Sequence, residues 1–145
     1  QTCALPIWLL YMAKYAYPAI FTQEDSGMYS INFPDFEACF TQGDNLQDGL
    51  DMANDVLCLT LYDLEESKGE IPKPSNPLEV RVDKNEFVTL VSCDTLEYRR
   101  YHDHKAVKKT LTVPAWLNAI AEREGINFSQ VLQSALKEML HIENR

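Results

Sequence analysis

Apolar and polar residues alternate over residues 14–22, KYAYPAIFT, and again over residues 28–33, MYSINF. Successive side chains of an extended strand point to opposite faces, so a period of two predicts two half-buried strands. Glu24, Asp25, Ser26 and Gly27 stand between them as turn formers and join them into a hairpin. Pro34 and Asp35 break the second strand, and a third short strand is expected through Cys39, Phe40 and Thr41, leading to Gly43 and Asp44. There the period changes. Leu46, Leu50, Ala53, Leu57, Leu61 and Leu64 recur at spacings of three and four, which predicts a helix laid on the sheet by one face. Asp44 is its expected N-cap, with Gln47 in nearly capping-box position. Lys68, Gly69 and Glu70 end it, and IPKPSNP is a stiff exposed connection because proline fixes φ and gives up its amide hydrogen. Residues 78–82 and 86–92, the latter with FVTLV at its centre, return to the strand pattern. Together these elements predict an α+β domain over residues 12–95.

Residues 96–106 include EYRRYHDH and read as a polar, partly helical linker. Beyond it, residues 107–113 alternate so that Leu111 and Val113 point one way and Lys108, Thr110 and Thr112 the other, which predicts one strand. Pro114 suits the first turn of a helix through Trp116, Leu117, Ile120 and Ala121, and Gly125 suits its left-handed end. Asn127 caps a second helix, with Gln130 at its third position and Val131, Leu132, Ala135, Leu136, Met139 and Leu140 as its apolar face. A strand and two helices in residues 107–145 leave a strand edge unpaired and apolar faces uncovered. The unit is therefore expected as an intertwined homodimer in which the two strands pair antiparallel. Such a two-stranded ribbon fits the major groove of double-stranded DNA. Lys108, Thr110 and Thr112 are the candidate base readers, and the amides of Phe128 and Ser129, with the Ser129 hydroxyl, the candidate phosphate clamp.

Composition changes the picture in one respect. The 145 residues are 46% hydrophobic and 24% charged, which excludes a wholly disordered or low-complexity chain. The net charge of −9 argues against nucleic acid as the only partner, but the charge is unevenly spread. Residues 1–75 carry 12 acidic and 3 basic side chains, whereas residues 106–145 carry 4 and 5. Two modules with different partners are expected, the first meeting something cationic. Asp48, Asp51 and Asp55 share the solvent side of the long helix and are expected to be solvated rather than to hold a metal, with contact to a basic partner as the alternative. His102 and His104 lack two further ligands, so no metal and no cofactor is expected. Cys3, Cys39, Cys58 and Cys93 have neither zinc-site nor disulfide-framework spacing and read as reduced, mostly buried thiols. With no secretory or membrane-spanning pattern, the expected location is the cytoplasm and no membrane is expected as a partner. Residues 1–11 precede Met12 and read as a non-native extension.

The first domain carries YPAIF and EDSGMYSINFPDFEACFTQGD before its acidic helix; the second carries KKTLTVPAWLNAIAEREGINFSQVLQSALKEML. In this order and spacing they resemble, from Met12 onward, the HicB antitoxins of toxin–antitoxin pairs, and the second part resembles ribbon-helix-helix DNA-binding domains. Glu37 and Ala38 depart from the Leu-Pro-Gly-like turn of that family, which concerns the geometry of one loop. The resemblance implies a partial, degenerate RNase H-like sheet-and-helix domain followed by the ribbon-helix-helix domain. It implies an antitoxin that masks HicA, a small basic mRNA-cleaving toxin, and represses its own operon by binding operator DNA as a homodimer, with a homotetramer left open. The loop acids Glu24, Asp25, Asp35 and Glu37 are the candidate toxin contacts, because loops on a rigid sheet often carry binding. A live two-metal nuclease is not expected, since KYAYPAIFT, MYSINF and FVTLV contain no carboxylate. The alternative is a ribbon-helix-helix regulator whose first domain senses a small ligand.

Overall fold

In a computed structural model that describes residues 14–142, the alternation at the start of the chain becomes β1 (Lys14–Gln23), followed by β2 (Tyr29–Asn32) and β3 (Phe40–Gly43). After β3 come α1 (Leu46–Glu66), β4 (Glu86–Asp94), α2 (Thr95–His102), α3 (Ala115–Arg123) and α4 (Phe128–Met139). The fold is α+β, with a four-stranded antiparallel sheet in the order β3-β2-β1-β4. Residues 14–104 and 105–142 belong to two separate compact units. The expectation about residues 1–11 lies outside the described residues.

The register sets the core of the first unit. β1 pairs with β4 through Tyr17↔Val91 and Phe21↔Phe87, and with β2 through Phe21↔Ile31. The odd-numbered side chains of β1, Tyr17, Ala19 and Phe21, therefore share a face with Ile31 and Val91, and this face meets Ala53, Leu57 and Leu61 of α1. Burying a leucine of this kind contributes about 1.5–3 kcal/mol. α1 can settle this closely because Gly43 at the end of β3 has no side chain. A Cβ there would stand 2.3 Å from the amide nitrogen of Gly49 in the first turns of the helix.

Several expectations are corrected. The cap of α1 is Asn45, whose side chain accepts from the amide of Asp48, while Asp48 accepts in return from the amide of Asp44 at 2.8 Å. Asp44 thus lies one residue outside the cap, its amide satisfied by the side chain that the cap itself orients. Leu46 and Leu50, placed on the buried face by their spacing, are 47% and 36% exposed, because the row reaching the core runs through Gly49, Ala53 and Leu57. Residues 78–82 form no strand: Asn76 and Leu78 open a turn instead, and Leu78 is 91% exposed. Val80 and Val82 alternate correctly but have no strand beside them to pair with. Cys58 on α1 and Cys93 on β4 are joined as a disulfide with Cα atoms 5.5 Å apart, whereas Cys39 is a free buried thiol. Their sequence separation of 35 carries no spacing signature that could have announced the pair. Finally, residues 107–113 form no strand in the single chain; they run unpaired and exposed. A ladder needs a second strand, and the described residues of this unit contain none.

Candidate functional site

In the second unit the local signals place the two helices as expected. α3 starts after Pro114, and Gly125 ends its turn at φ 66°, a conformation that glycine adopts without Cβ strain. Asn127 caps α4, its side chain accepting from the amide of Gln130 at 3.1 Å. The first intrahelical bond that follows runs from Val131 to Asn127, so the amides of Phe128 and Ser129 belong to the open first turn of the helix. A helix start with free amides carries partial positive charge and accepts an anion. The Ser129 hydroxyl accepts from Gln133 at 3.2 Å, which fixes that side chain over the same turn. Lys108, Thr110 and Thr112 are all exposed on the extended run ahead of α3.

No described residue of this unit is buried. Leu111 is 63% exposed, Trp116 68% and Val131 55%, on elements whose spacing marks these positions as inward-facing. Isolated exposed leucines are ordinary, but amphipathic faces left exposed throughout the described residues of a unit form a surface that a partner can cover.

The acids of the first unit are divided by the strand topology. Glu24 and Asp25 sit in the β1–β2 turn, and Asp35 and Glu37 in the β2–β3 loop at the other end of β2. Four strand residues, roughly 13 Å, separate the two pairs, so the four acids do not converge. Asp35 is engaged within the fold: its carboxylate accepts from the amide of Ser75 at 3.1 and 3.2 Å and from the Ser75 hydroxyl, tying the proline-rich connection to the β2–β3 loop. Glu24 accepts from the Ser30 hydroxyl at 2.7 Å. Pairing brings a different set together, because Gln23, Tyr29 and Gly43 lie side by side and Glu86 pairs with Thr22. The turn acids, the Asp44–Asp48 junction and Glu86 therefore share one end of the sheet.

At the other end lies a polar hub that the sequence did not reveal. Glu65 accepts from the Tyr15 hydroxyl at 3.1 Å, from the buried Thr95 hydroxyl at 2.8 Å and from the Arg99 guanidinium at 2.9 Å. Arg99 also bonds Glu66 and lies 4.7 Å from the centre of the Tyr62 ring. This hub binds α2, read as part of a linker, onto α1 and β1. Burial, reinforced by the Glu65 charge and hydrogen bond, pushes the Tyr15 hydroxyl up to about 12. No local signal announced it, since Arg99 stands beside Arg100 in a mixed-charge stretch. Among the described residues, no three His, Cys, Asp or Glu side chains come together as a metal site, and no helix is long and apolar enough to cross a membrane.

Comparison with known proteins supplies the lineage. The family described as "HicB_like antitoxin of bacterial toxin-antitoxin system" matches over residues 16–87. A chain of a toxin–antitoxin complex from Streptococcus pneumoniae is 32% identical, with 88% of this chain and 99% of that one covered at a TM-score of 0.58. The 14.9 kDa protein of the rep-hol intergenic region of Haemophilus phage HP1 is 31% identical over 105 residues, 70% of this chain and 74% of that protein. The Burkholderia pseudomallei antitoxin HicB, at 18% identity and a TM-score of 0.51 over 87% of this chain and 98% of that one, shares the fold. With a sheet, helices and sequence that all match those of toxin–antitoxin proteins, the chain belongs to the HicB-like antitoxin family and is an antitoxin of a toxin–antitoxin system.

Proposed function

We propose that this antitoxin binds and neutralises a HicA-like mRNA-cleaving toxin through residues 14–104 and, as a homodimer completed by residues 105–142, represses its own operon by binding operator DNA. The observation that carries the proposal is the second unit in which no described residue is buried. A second copy supplies both what the helices lack and what residues 107–113 lack, an antiparallel strand. Pairing puts Leu111 and Val113 into the shared core and leaves Lys108, Thr110 and Thr112 of both chains on one outward face, where lysine donates to guanine and threonine offers a hydroxyl and a methyl to base edges. The open first turn of α4 in each copy then holds a backbone phosphate through the amides of Phe128 and Ser129, which positions the ribbon without reading sequence. Toxin binding draws its support from the charge of the first unit and from the Streptococcus pneumoniae relative, which comes from a toxin–antitoxin complex. A cationic RNA-binding protein is attracted by the same negative field as its substrate provides, which speeds association.

Removal of residues 105–145 tests the division of labour. Gel shifts on the DNA upstream of its gene should lose all binding, while the remaining chain should still rescue growth when co-expressed with the toxin of its operon. Loss of rescue by a truncated chain that keeps its far-ultraviolet dichroism and its cooperative melt refutes the assignment.

A further inference from the structure

We infer that the outer edge of β4 pairs antiparallel with the same edge of a second copy, across a two-fold axis at Thr89. Alternation along the β1–β4 ladder fixes which backbone groups face outward. The amide of Gln23 donates to the carbonyl of Asn85 at 2.9 Å, one step beyond the Thr22↔Glu86 pair, so the odd-numbered residues of β4 are the ones that exchange hydrogen bonds with β1. Pro18, which has no amide hydrogen, stands opposite Leu90, where none is needed. The amides and carbonyls of Val88 and Leu90 therefore point away from β1, and among the described residues no strand lies beyond β4. The Leu90 side chain is 58% exposed. The bonds that α1 makes to β4 lie further along, at Ser92 and Cys93.

The edge is complementary to itself in one register. At one end the Asn54 side chain donates to the carbonyl of Ser92 at 2.6 Å, and at the other the amide of Glu86 donates to the carbonyl of Asp83 at 3.1 Å. Between these two satisfied groups lie the outward amides and carbonyls of Val88 and Leu90. A two-fold axis at Thr89 sets Val88 opposite Leu90 of the second copy and Leu90 opposite its Val88, which pairs all of them; the Ser92 amide and the Glu86 carbonyl also meet. Moving the axis to Leu90 sets Val88 against Ser92, whose carbonyl is taken, and Glu86 against Asp94. Moving it to Val88 sets Leu90 against Glu86, whose amide is taken. Charge also favours a second copy over a cationic partner. Residues 87–93 carry no charge and include neither the lysine nor the proline that blunts an exposed edge. The Glu86 carboxylate is turned back within the chain, accepting from the Thr22 hydroxyl at 3.1 Å and the Asp83 amide at 2.9 Å. In this register Leu90 gains Val88 of the second copy beside it, and Phe87, 39% exposed, gains Val91.

Amide hydrogen exchange on the full chain, without toxin or DNA, tests the pairing. Phe87, Thr89 and Val91 should be protected at every concentration by the ladder with β1, whereas Val88 and Leu90 should be protected only where copies associate and should lose that protection on dilution. Leu90→Lys places a charge on the edge without touching the bonds to β1, so it should return Val88 and Leu90 to fast exchange and leave the melt unchanged. Thr89→Cys should join two copies under glutathione disulfide, the two protein thiols forming the bond and the oxidant leaving as two thiols, because facing Cα atoms at such a pair stand about 4.5 Å apart. Leu90→Cys, displaced from the axis, should join far less. Fast exchange of Val88 and Leu90 at every concentration overturns the inference, as does protection that appears only when the toxin is added, which would assign the edge to that protein. Stronger cross-linking by Leu90→Cys than by Thr89→Cys overturns the axis at Thr89. Should Leu90→Lys melt early, exchange in the unaltered chain and the two cysteine variants decide.

Discussion

Gly43→Ala tests whether α1 is seated as described. The added methyl would stand 2.3 Å from the amide nitrogen and 2.5 Å from the Cα of Gly49, and 2.9 Å from the carbonyl carbon of Asp48. All three are backbone atoms of the first turns of α1, so no side chain can rotate away. Ordinary contact begins at 3.4 Å, which requires β3 and the helix start to separate by 3.4 − 2.3 = 1.1 Å. Such a shift draws the helix off Phe21 and Ile31. Overpacking that moves backbone costs about 1–3 kcal/mol, and at the upper end of that range here because the obstacle is rigid. For a unit of this size a loss of about 2–3 kcal/mol lowers the melting temperature by roughly 10–20 °C. Gly49→Ala is the matched control. Its Cβ would meet the edge of the Phe21 ring at 3.3 Å, a side chain that can yield by a few tenths of an ångström. Alanine also gains up to about 1 kcal/mol of helix propensity over glycine, so this variant should melt within a few degrees of the unaltered chain. Differential scanning calorimetry of both variants decides. A Gly43→Ala protein that melts like the parent, or a Gly49→Ala protein that loses more stability than Gly43→Ala, refutes the β3–α1 packing.

Tyr15 is expected to make the first unit sensitive to alkali: its folded pKa of about 12 lies above the ordinary value of 10.0, so its contribution is fully present below pH 10 and is lost as pH rises toward 12. Tyr15→Phe should remove that part of the alkaline loss, and parallel denaturation curves from pH 9 to 12 with the same slope for both proteins would contradict it. Thr110→Ala should weaken cognate operator by about 1–3 kcal/mol with little effect on random DNA. Lys108→Ala should reduce the salt slope of binding by about one if its ammonium sits on a phosphate. Titrations on cognate and scrambled duplexes at several salt concentrations check both; equal losses on the two duplexes for Thr110→Ala would place that side chain off the bases.

The fold was most legible where local chemistry and tertiary packing agree. KYAYPAIFT alternates and is a strand half in the core; Gly125 and Asn127 end one helix and start the next, as their backbone preferences require. The pattern was least legible where a position depends on a neighbour distant in sequence. Val80 and Val82 alternate like a strand but lack a partner, and Leu46 and Leu50 have core spacing but stand outside the row through Gly49, Ala53 and Leu57 that reaches the core. The Cys58–Cys93 pair and the Glu65 hub join residues 35 and up to 50 positions apart, with no local motif to mark them. Of the candidate toxin contacts, Asp35 looked like any loop acid, and only its bonds to Ser75 show that the fold itself uses its carboxylate. Lys108, Thr110 and Thr112 could be named as candidate base readers from alternation alone, because a strand has only two faces and Leu111 and Val113 claim one of them.

The most direct test of the central claim is amide hydrogen exchange across residues 107–113 in the intact protein. In the single chain this run is unpaired, so every amide would exchange at the solvent rate. In the proposed dimer, alternate amides are locked in an antiparallel ladder with the second copy and should be strongly protected at concentrations where the mass in solution is at least twice 16.6 kDa. Leu136→Asp, which places a charge in the shared apolar face, should abolish that protection while leaving exchange in β1 unchanged. Free exchange throughout residues 107–113 in a protein that is nonetheless dimeric and bound to its operator would contradict the account.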